Sequence, residues 1–178
     1  MKTIRMTALR NWSLAAVALL VVGCSSMEPL EPVDYVDLDR FMGDWYVIGD
    51  IPTFIETEAY NAMENYALND DGTIATTFTF RKGGFDGEAK EYTPKGFVES
   101  ENNAVWGMRF IWPLKSDFRI VYLDEEYSIT IIGRNKRDYV WLMARESSIP
   151  DERYAELVTL IAEMGYDTSK LRKVPQQW

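Results

Sequence analysis

The sequence predicts an all-β protein with one C-terminal helix, in which eight antiparallel strands form an up-and-down barrel. Three observations predict this fold. Runs rich in β-branched and aromatic residues follow one another between residues 45 and 145, the links between them are short and polar, and one amphipathic helical pattern comes after the last run. Short links favour antiparallel neighbours, so this order is typical of a barrel rather than of alternating strands and helices.

The predicted strands follow a short helical turn at residues 38–42. Pro52 should end the first strand, because proline has no N–H to donate to a neighbouring strand. The link at residues 69–72 ends in Gly72, which can take the positive φ of a tight hairpin. We expect the eight strands at residues 45–50, 60–68, 73–81, 89–99, 104–112, 118–124, 127–133 and 139–145.

The helix is predicted at residues 151–164, after Pro150 and before Gly165, which suit a helix start and a helix end respectively. Its apolar residues repeat with helical spacing on a single face. This stripe consists of Tyr154, Leu157, Val158 and Ile161. We expect the stripe to lie on the barrel wall over Val140 and Leu142, although a helix that binds a partner protein stays open.

Residues 1–23 have the pattern of a signal peptide. Lys2, Arg5 and Arg10 precede an apolar run at residues 14–22, which is shorter than the roughly 20 residues that a membrane-spanning helix needs. The sole cysteine, Cys24, follows this run directly. An ordinary signal peptide with a chance cysteine is one interpretation of these residues.

The other interpretation is lipidation, because Val-Val-Gly-Cys at residues 21–24 resembles the lipobox of bacterial lipoproteins. This resemblance implies an acylated N-terminus at Cys24, and the serines at positions 25 and 26 imply sorting to the outer membrane. Several acyl chains on one residue anchor a protein stably, whereas one chain is marginal. We therefore expect a lipidated N-terminus and tether at residues 24–35 and the barrel domain at residues 36–178.

Charge and composition exclude several functions. Removal of residues 1–23, which hold three basic residues and no acid, lowers the formal net charge from −9 to −12. So acidic a chain is unsuited to nucleic acid or to anionic membrane surfaces as electrostatic partners. The chain has no histidine, its one cysteine is assigned to lipid, and it carries no nucleophile, phosphate-binding or zinc motif. We expect no enzymatic activity, no metal and no cofactor.

Two segments about a hundred residues apart predict how the barrel is closed at one end. Gly43 and Trp45 enter the first strand, and Arg145 ends the last. An Arg guanidinium stacked on an indole ring contributes roughly 0.5–2 kcal/mol, and it keeps donors free for backbone carbonyls. We expect these three residues to form a structural floor rather than a catalytic pair.

Three segments resemble the signature regions of the lipocalin family: Gly-Asp-Trp-Tyr at 43–46, Tyr-Leu-Asp-Glu-Glu-Tyr at 122–127, and Asp-Tyr-Val-Trp-Leu-Met-Ala-Arg at 138–145. Together with the lipobox, they resemble bacterial outer-membrane lipocalins related to apolipoprotein D. The resemblance implies a barrel that is open at one end and holds a small hydrophobic ligand, with lysophospholipids or fatty acids favoured. It also implies lipid storage or transport for envelope maintenance, on the periplasmic face of the outer membrane.

Strand alternation and the resemblance together predict the lining of the cavity. Side chains alternate between the two faces of a strand, so Val47 shares the inner face with Trp45, and Tyr139, Trp141 and Met143 share it with Arg145. Alignment with the family adds Tyr66, Ile74, Thr76, Phe78, Phe80, Val98, Trp106, Met108, Phe110 and Trp112. Eight strands enclose only packed side chains or one small ligand, so each of these residues is either core or ligand contact.

The same alignment turns Arg119 inward, against simple burial preference. An inward Arg119 near the mouth would receive a phosphate or carboxylate headgroup, since a guanidinium pairs with either through two hydrogen bonds. The alternative is a solvent-facing charge at the rim. Outward Phe118, Ile120 and Tyr122 would then form an apolar strip on the wall, which leaves a homodimer open.

A lipid carrier has two rivals. In the first, side chains fill the barrel, and rim loops such as residues 51–57 or 110–116 bind another envelope component. In the second, rim carboxylates catalyse a reaction on a lipid. Cavity volume distinguishes the carrier from the filled barrel, since ligand sites usually measure a few hundred Å³.

Overall fold

The structure is a computed structural model that describes residues 28–178. The predicted signal peptide, Cys24 and the first part of the tether lie outside the described residues. Every strand and helix named below lies between residues 38 and 173, so the barrel is complete without the segment before residue 28. Within residues 28–178, neither helix has the length and apolar sequence needed to cross a bilayer.

The described chain forms a closed antiparallel barrel, which confirms the predicted fold class. Strands that are near one another in sequence pair, and the last barrel strand pairs with the first to close the circle. A two-residue strand near the C-terminus adds to the edge of the first strand. The elements are α1 (Leu38–Phe41), β1 (Gly43–Ile51), β2 (Ala59–Leu68), β3 (Thr73–Lys82), β4 (Glu88–Tyr92), β5 (Lys95–Val98), β6 (Val105–Ile111), β7 (Leu114–Leu123), β8 (Ile129–Gly133), β9 (Val140–Ala144), α2 (Asp151–Glu163) and β10 (Arg172–Lys173).

One predicted strand is divided in two. The run at residues 89–99 forms β4 and β5, which both pair with β3 and together fill one of the eight places in the barrel. The break falls at Thr93 and Pro94, because a proline cannot donate a hydrogen bond within a strand. The predicted hairpin at residues 69–72 is confirmed, with Gly72 at a φ of 75°.

The barrel closes through pairs of residues that are far apart in sequence. Tyr46 pairs with Ala144 and Val47 with Met143, and a bulge follows Val47. Farther along β1, Asp50 pairs with Arg172 of β10. Both the last barrel strand and the C-terminal segment therefore hold the first strand in place.

The apolar residues form two clusters, one inside the barrel and one between its outer wall and α2. Val140 and Leu142 face outward and belong to one buried cluster with the helix residues Leu157 and Ile161, which are part of the predicted stripe. Each fully buried side chain of this kind contributes roughly 1.5–3 kcal/mol. The helix ends before Gly165, whose φ of 89° suits a glycine.

The segment before α1 runs along the barrel from its open end to its closed end. The N–H of Leu30 donates to Asn135 Oδ1 over 2.8 Å, in the link between β8 and β9. Farther along, the N–H of Val33 donates to the carbonyl of Ile120 and that of Val36 to the carbonyl of Asn102. The link between β8 and β9 lies opposite the floor, so residues 28–30 lie beside the mouth.

Candidate ligand-binding site

The closed end of the barrel is built around Trp45 and Arg145. Trp45 is fully buried, and its Nε1 donates to the Phe41 carbonyl over 2.8 Å. The guanidinium carbon of Arg145 lies 3.8 Å from the centre of the indole ring. The Arg145 nitrogens also donate to the carbonyls of Asp44 and Met42 over 2.7 and 2.9 Å. This arrangement joins β1, α1 and the end of β9 into one floor.

Gly43 belongs to the same floor. Its φ is 96°, a conformation that side-chain-bearing residues rarely adopt. A Cβ atom there would lie 3.4 Å from Nη1 of Arg145. The glycine thus allows both the local backbone turn and the close approach of the guanidinium.

Aromatic side chains fill the lower half of the barrel above this floor. Trp106 and Phe118 stack with ring centres 5.0 Å apart, and Phe41 meets Trp106 edge-on at 5.6 Å. Tyr66 contacts Phe118 at 6.1 Å. Trp106, one of the predicted lining residues, is therefore core and does not line the cavity.

The upper half of the barrel is open. An outer section of the cavity, at the mouth, has a volume of about 510 Å³, within the usual range of ligand sites. A narrow inner section of about 30 Å³ continues toward the floor. Glu56, Phe110, Ser116 and Trp141 line both sections and mark the passage between them. The barrel is thus only half filled.

The structure distributes the other predicted lining residues over three places. Tyr139 lines the outer section, together with Phe110 and Trp141. Tyr66, Phe78 and Met108 line the inner section. Phe80 and Val98 face the interior and pack within its apolar cluster, as do Val47, Ile74 and Met143.

The prediction for Trp112 is wrong. Its side chain is 79% exposed and lies on the rim. Strand β6 ends at Ile111, so Trp112 belongs to the turn that leads into Leu114. Strand alternation does not extend into a turn, and it therefore does not determine the direction of this side chain.

The inward orientation of Arg119 is also wrong. Its Nε donates to Asp117 Oδ1 over 3.0 Å and its Nη1 to the Leu30 carbonyl over 3.2 Å, both on the outer side of β7. Phe118 and Ile120 point inward instead, and Phe118 is the cross-strand partner of Trp106. Burial of the two apolar side chains determines the orientation of the strand.

This orientation also removes the apolar strip on which a homodimer would have rested, because Phe118 and Ile120 are not on the outer wall. Tyr122, which follows a bulge in β7, does face outward. The guanidinium carbon of Arg153 from α2 lies 5.7 Å from its ring centre. The helix thus partly covers the one remaining aromatic residue of the predicted strip.

Two carboxyl groups inside the barrel were not predicted. Glu56 is only 4% exposed, and its oxygens accept hydrogen bonds from Trp141 Nε1 over 2.8 Å and from Thr53 Oγ1 over 2.7 Å. Burial raises the pKa of Glu56, and the two hydrogen bonds oppose this rise. Glu56 lies in the link after β1, where no periodic pattern indicated its direction.

Glu64 lines the inner section of the cavity. Burial, and secondarily the charge of Glu56, raise its pKa from 4.5 to about 8. Glu64 lies two residues before Tyr66 on the same strand, so strand alternation alone would have placed it inside. Within residues 28–178, no three His, Cys, Asp or Glu side chains lie close enough together to hold a metal ion.

Comparison with known proteins agrees with this architecture. A family model described as a lipocalin-like domain matches residues 36–176. The chain belongs to the lipocalin family. Lipocalins bind and carry small hydrophobic molecules rather than catalyse reactions, and this agrees with the predicted lack of enzymatic activity.

Relatives of this lipocalin occur in plants and bacteria. Temperature-induced lipocalin-1 of Arabidopsis thaliana is 34% identical over 154 residues, which cover 83% of each chain. The outer membrane lipoprotein Blc of Escherichia coli is 30% identical over 169 residues, which cover 91% of this chain and 93% of Blc. Insecticyanin from the tobacco hornworm superposes with a TM-score of 0.64 at 13% identity, over 83% of this chain and 84% of its own, and shares the fold alone.

Proposed function

We propose that this lipocalin binds single-chain lipids, either lysophospholipids or fatty acids, and stores or transports them for maintenance of the cell envelope. The observation that carries this proposal is the outer section of the cavity, which measures about 510 Å³ and opens at the mouth. Ile55, Phe110, Tyr139 and Trp141 give it an apolar lining. Such a site gains free energy from every CH₂ group that it removes from water, roughly 0.8 kcal/mol each.

The proposed location is the periplasmic face of the outer membrane, with acyl chains on Cys24 as the anchor. Two observations support it. Residues 21–24 resemble a lipobox, and the bacterial relative Blc is named as an outer membrane lipoprotein. The acidic composition of the chain provides no basic surface for membrane attachment, so the lipid would supply the anchor.

The rival function, an interaction protein that binds a partner through its rim loops, has one observation in its favour. Phe54 and Trp112 on the rim are 87% and 79% exposed, and exposed apolar patches often mark binding surfaces. The rival also supposes a barrel filled by side chains, and the open outer section counts against that part of it.

Co-purification tests the proposed function. Residues 25–178, which lack the anchor cysteine, are expressed in bacteria and analysed by native mass spectrometry for bound lipid. We expect stoichiometric single-chain lipid, or saturable quenching of tryptophan fluorescence when lysophospholipid is added. No bound lipid and no saturation with either lysophospholipid or fatty acid would refute the proposal and favour the rival.

A blocked variant and a matched control sharpen this test. Ser116 lines both sections of the cavity, so Ser116→Trp should fill the passage and abolish binding. Glu126 is exposed in the turn between β7 and β8, near the floor. Glu126→Trp adds the same side chain outside the cavity and should bind lipid like the unchanged protein.

A further inference from the structure

The inside of the cavity is acidic. Glu56 lines both sections and Glu64 lines the inner one. Within residues 28–178, Arg134 is the one basic side chain in the lining, and it lies in the outer section, where Nη1 is 3.2 Å from Asp138. Arg172 binds the backbone carbonyl of Glu56, and its guanidinium pairs with Asp50. No free cation therefore faces the inner section from the described residues.

The inner section also holds polar groups whose hydrogen-bonding capacity is unused. Glu64 faces it and interacts with the hydroxyl of Tyr66, which leaves most of the roughly four acceptor positions of its carboxylate open. The hydroxyl of Tyr66 is buried and has no well-formed hydrogen bond to any partner among residues 28–178. Buried polar groups of this kind lower stability when they are left unpaired. An occupant with several hydrogen-bond donors would pair them.

The volume of about 30 Å³ limits the size of that occupant. It is enough for a group about as large as one or two water molecules. A primary ammonium group has this size and carries three donors. The indole of Trp141, beside Glu56, offers in addition an aromatic ring, which attracts cations.

We propose that the inner section is a subsite for the primary ammonium group of an amphiphile, whose alkyl chain lies in the outer section. The ammonium would contact Glu56, Glu64 and the ring of Trp141. This assignment rests on the proposed function, namely that the outer section holds a lipid chain. It adds a direction of entry, with the charged end innermost, and among the ligands of the proposed function it favours lipids that carry a primary ammonium group over fatty acids.

The subsite should make binding depend on pH. Because the pKa of Glu64 is raised to about 8, an ammonium must displace a proton from this carboxyl below that pH. Affinity for a primary amine should therefore increase between about pH 6 and about pH 8, by at most about tenfold per pH unit. Primary amines have a pKa near 10.4, so the ligand itself stays charged throughout this range.

Three ligands of equal chain length test the proposal, namely decylamine, decanol and decanoate, titrated into residues 28–178 at about pH 8. A charge-assisted hydrogen bond is worth roughly 1.5–3 kcal/mol, which corresponds to about 10–100-fold in affinity. We expect decylamine to bind more tightly than decanoate by at least this factor. Glu64→Gln should weaken decylamine about tenfold or more and leave decanol nearly unchanged.

Glu58→Gln is the matched control, because Glu58 is exposed near the mouth and lies outside the lining of both sections. Decanoate binding as tightly as decylamine, or equal losses for all three ligands in Glu64→Gln, would overturn the subsite and leave water as its occupant. If none of the three ligands binds, the proposed lipid-binding function fails as well. The two failures are therefore distinguishable.

A second inference rests on the outside of the mouth. Four large apolar side chains are exposed there, one in the link after β1 and three where β6 turns into β7. They are Phe54, Ile111, Trp112 and Leu114, between 72% and 87% exposed. Outside this group, Leu68 on β2 is 41% exposed, Tyr35 before α1 62% and Trp178 64%, on three separate segments of the chain. An apolar patch concentrated at one end indicates a binding surface.

The course of the N-terminal segment identifies what covers this patch. Leu30 is held beside the mouth by Asn135, so the chain reaches the barrel at its open end. Leu30 follows Cys24 by six positions, a stretch that spans at most about 20 Å. Acyl chains on Cys24 would therefore keep the mouth close to the membrane that they enter.

We infer that the apolar rim inserts into the lipid surface that holds the anchor, so that the cavity opens directly into the bilayer. The probe is phosphatidylcholine vesicles, because an acidic protein is repelled by anionic lipid. Residues 28–178 should bind these vesicles without any anchor, with a blue shift of tryptophan fluorescence. Replacing both Trp112 and Leu114 by serine should weaken binding at least about tenfold, given the free energy of burying large apolar side chains.

Leu68→Ser is the control for this surface, since it removes an exposed leucine at the opposite end of the barrel. It should leave vesicle binding unchanged. Equal binding by the control and by the Trp112 and Leu114 double variant would overturn the inference. Failure of residues 28–178 to bind vesicles at millimolar lipid would overturn it as well.

Discussion

Replacing Glu64 by glutamine should make the protein more stable at alkaline pH and leave its stability nearly unchanged near pH 5. The pKa of this carboxyl is about 8 in the folded chain, against 4.5 for an unperturbed glutamate. Between these two values the folded state holds a proton that the unfolded state has released. The folding free energy of the unchanged protein therefore becomes less favourable as pH rises through this window.

The difference between the two pKa values sets the size of the effect. One proton corresponds to about 1.4 kcal/mol per pH unit, so the window from 4.5 to about 8 allows at most about 5 kcal/mol. Water that enters through the open cavity would reduce the free-energy cost of burying the ionised Glu64 carboxylate. We therefore expect Glu64→Gln to be more stable than the unchanged protein by about 2–5 kcal/mol at pH 9. Glutamine has nearly the same shape and does not titrate, so the variant lacks this contribution.

Urea unfolding of both proteins at several pH values between about 5 and 9 measures the effect, with tryptophan fluorescence as the signal. Asp50, whose pKa is raised to about 7 mainly by burial, adds the same trend to both proteins. The difference in unfolding free energy between the unchanged protein and Glu64→Gln therefore comes from Glu64. Glu58→Gln should differ from the unchanged protein by less than about 0.5 kcal/mol throughout. A constant stability difference between Glu64→Gln and the unchanged protein across the pH range would refute the reasoning.

Three further substitutions test the division between structural and ligand-binding residues. Trp45→Ala should lower the free energy of unfolding by about 3–5 kcal/mol and should change the melting temperature more than the lipid preference. The reverse result would mean that the floor has been assigned to the wrong end. Leu157→Ala should cost about 2–5 kcal/mol without altering lipid affinity, as measured by thermal unfolding and fluorescence titration. Arg119→Ala, on the outer wall, should leave the ratio of anionic to neutral lipid affinities unchanged; a selective loss of the anionic lipid would return Arg119 to the site.

The sequence predicted the barrel and its floor because both depend on strong local or paired signals. Strand alternation placed Val47, Met143 and Trp141 correctly, since period-two patterns persist along a regular strand. The long-range contact of Trp45 with Arg145 was expected because the two residues stand at the start of the first strand and the end of the last, where an indole and a guanidinium can stack. The apolar stripe of α2 agreed with the outward side chains of β9.

The wrong or missed predictions concern residues for which strand alternation and hydrophobic patterning give no answer or disagree. Trp112 lies in a turn, where alternation stops. For Arg119, the family alignment and the burial preference of Phe118 disagreed, and burial prevailed. Glu64 was overlooked because a carboxyl group inside a barrel opposes hydrophobic patterning, although its position two residues before Tyr66 was sufficient to find it. Water in the unfilled cavity can hydrate such a carboxyl group and so lower the free-energy cost of placing it inside the barrel. The pattern of side chains in the sequence does not show that the cavity is there.

Barrel closure has a consequence for the order in which the chain folds. Strand β1 is among the first segments of the domain, yet its partners β9 and β10 are nearly the last. Until those residues are available, β1 and β8 are unprotected edges of an incomplete sheet, and such edges readily pair with other chains. Contacts this distant in sequence also slow folding, because a long loop must be ordered before it is stabilised. The barrel therefore closes only once residues 140–173, which contain β9 and β10, are available to pair with β1.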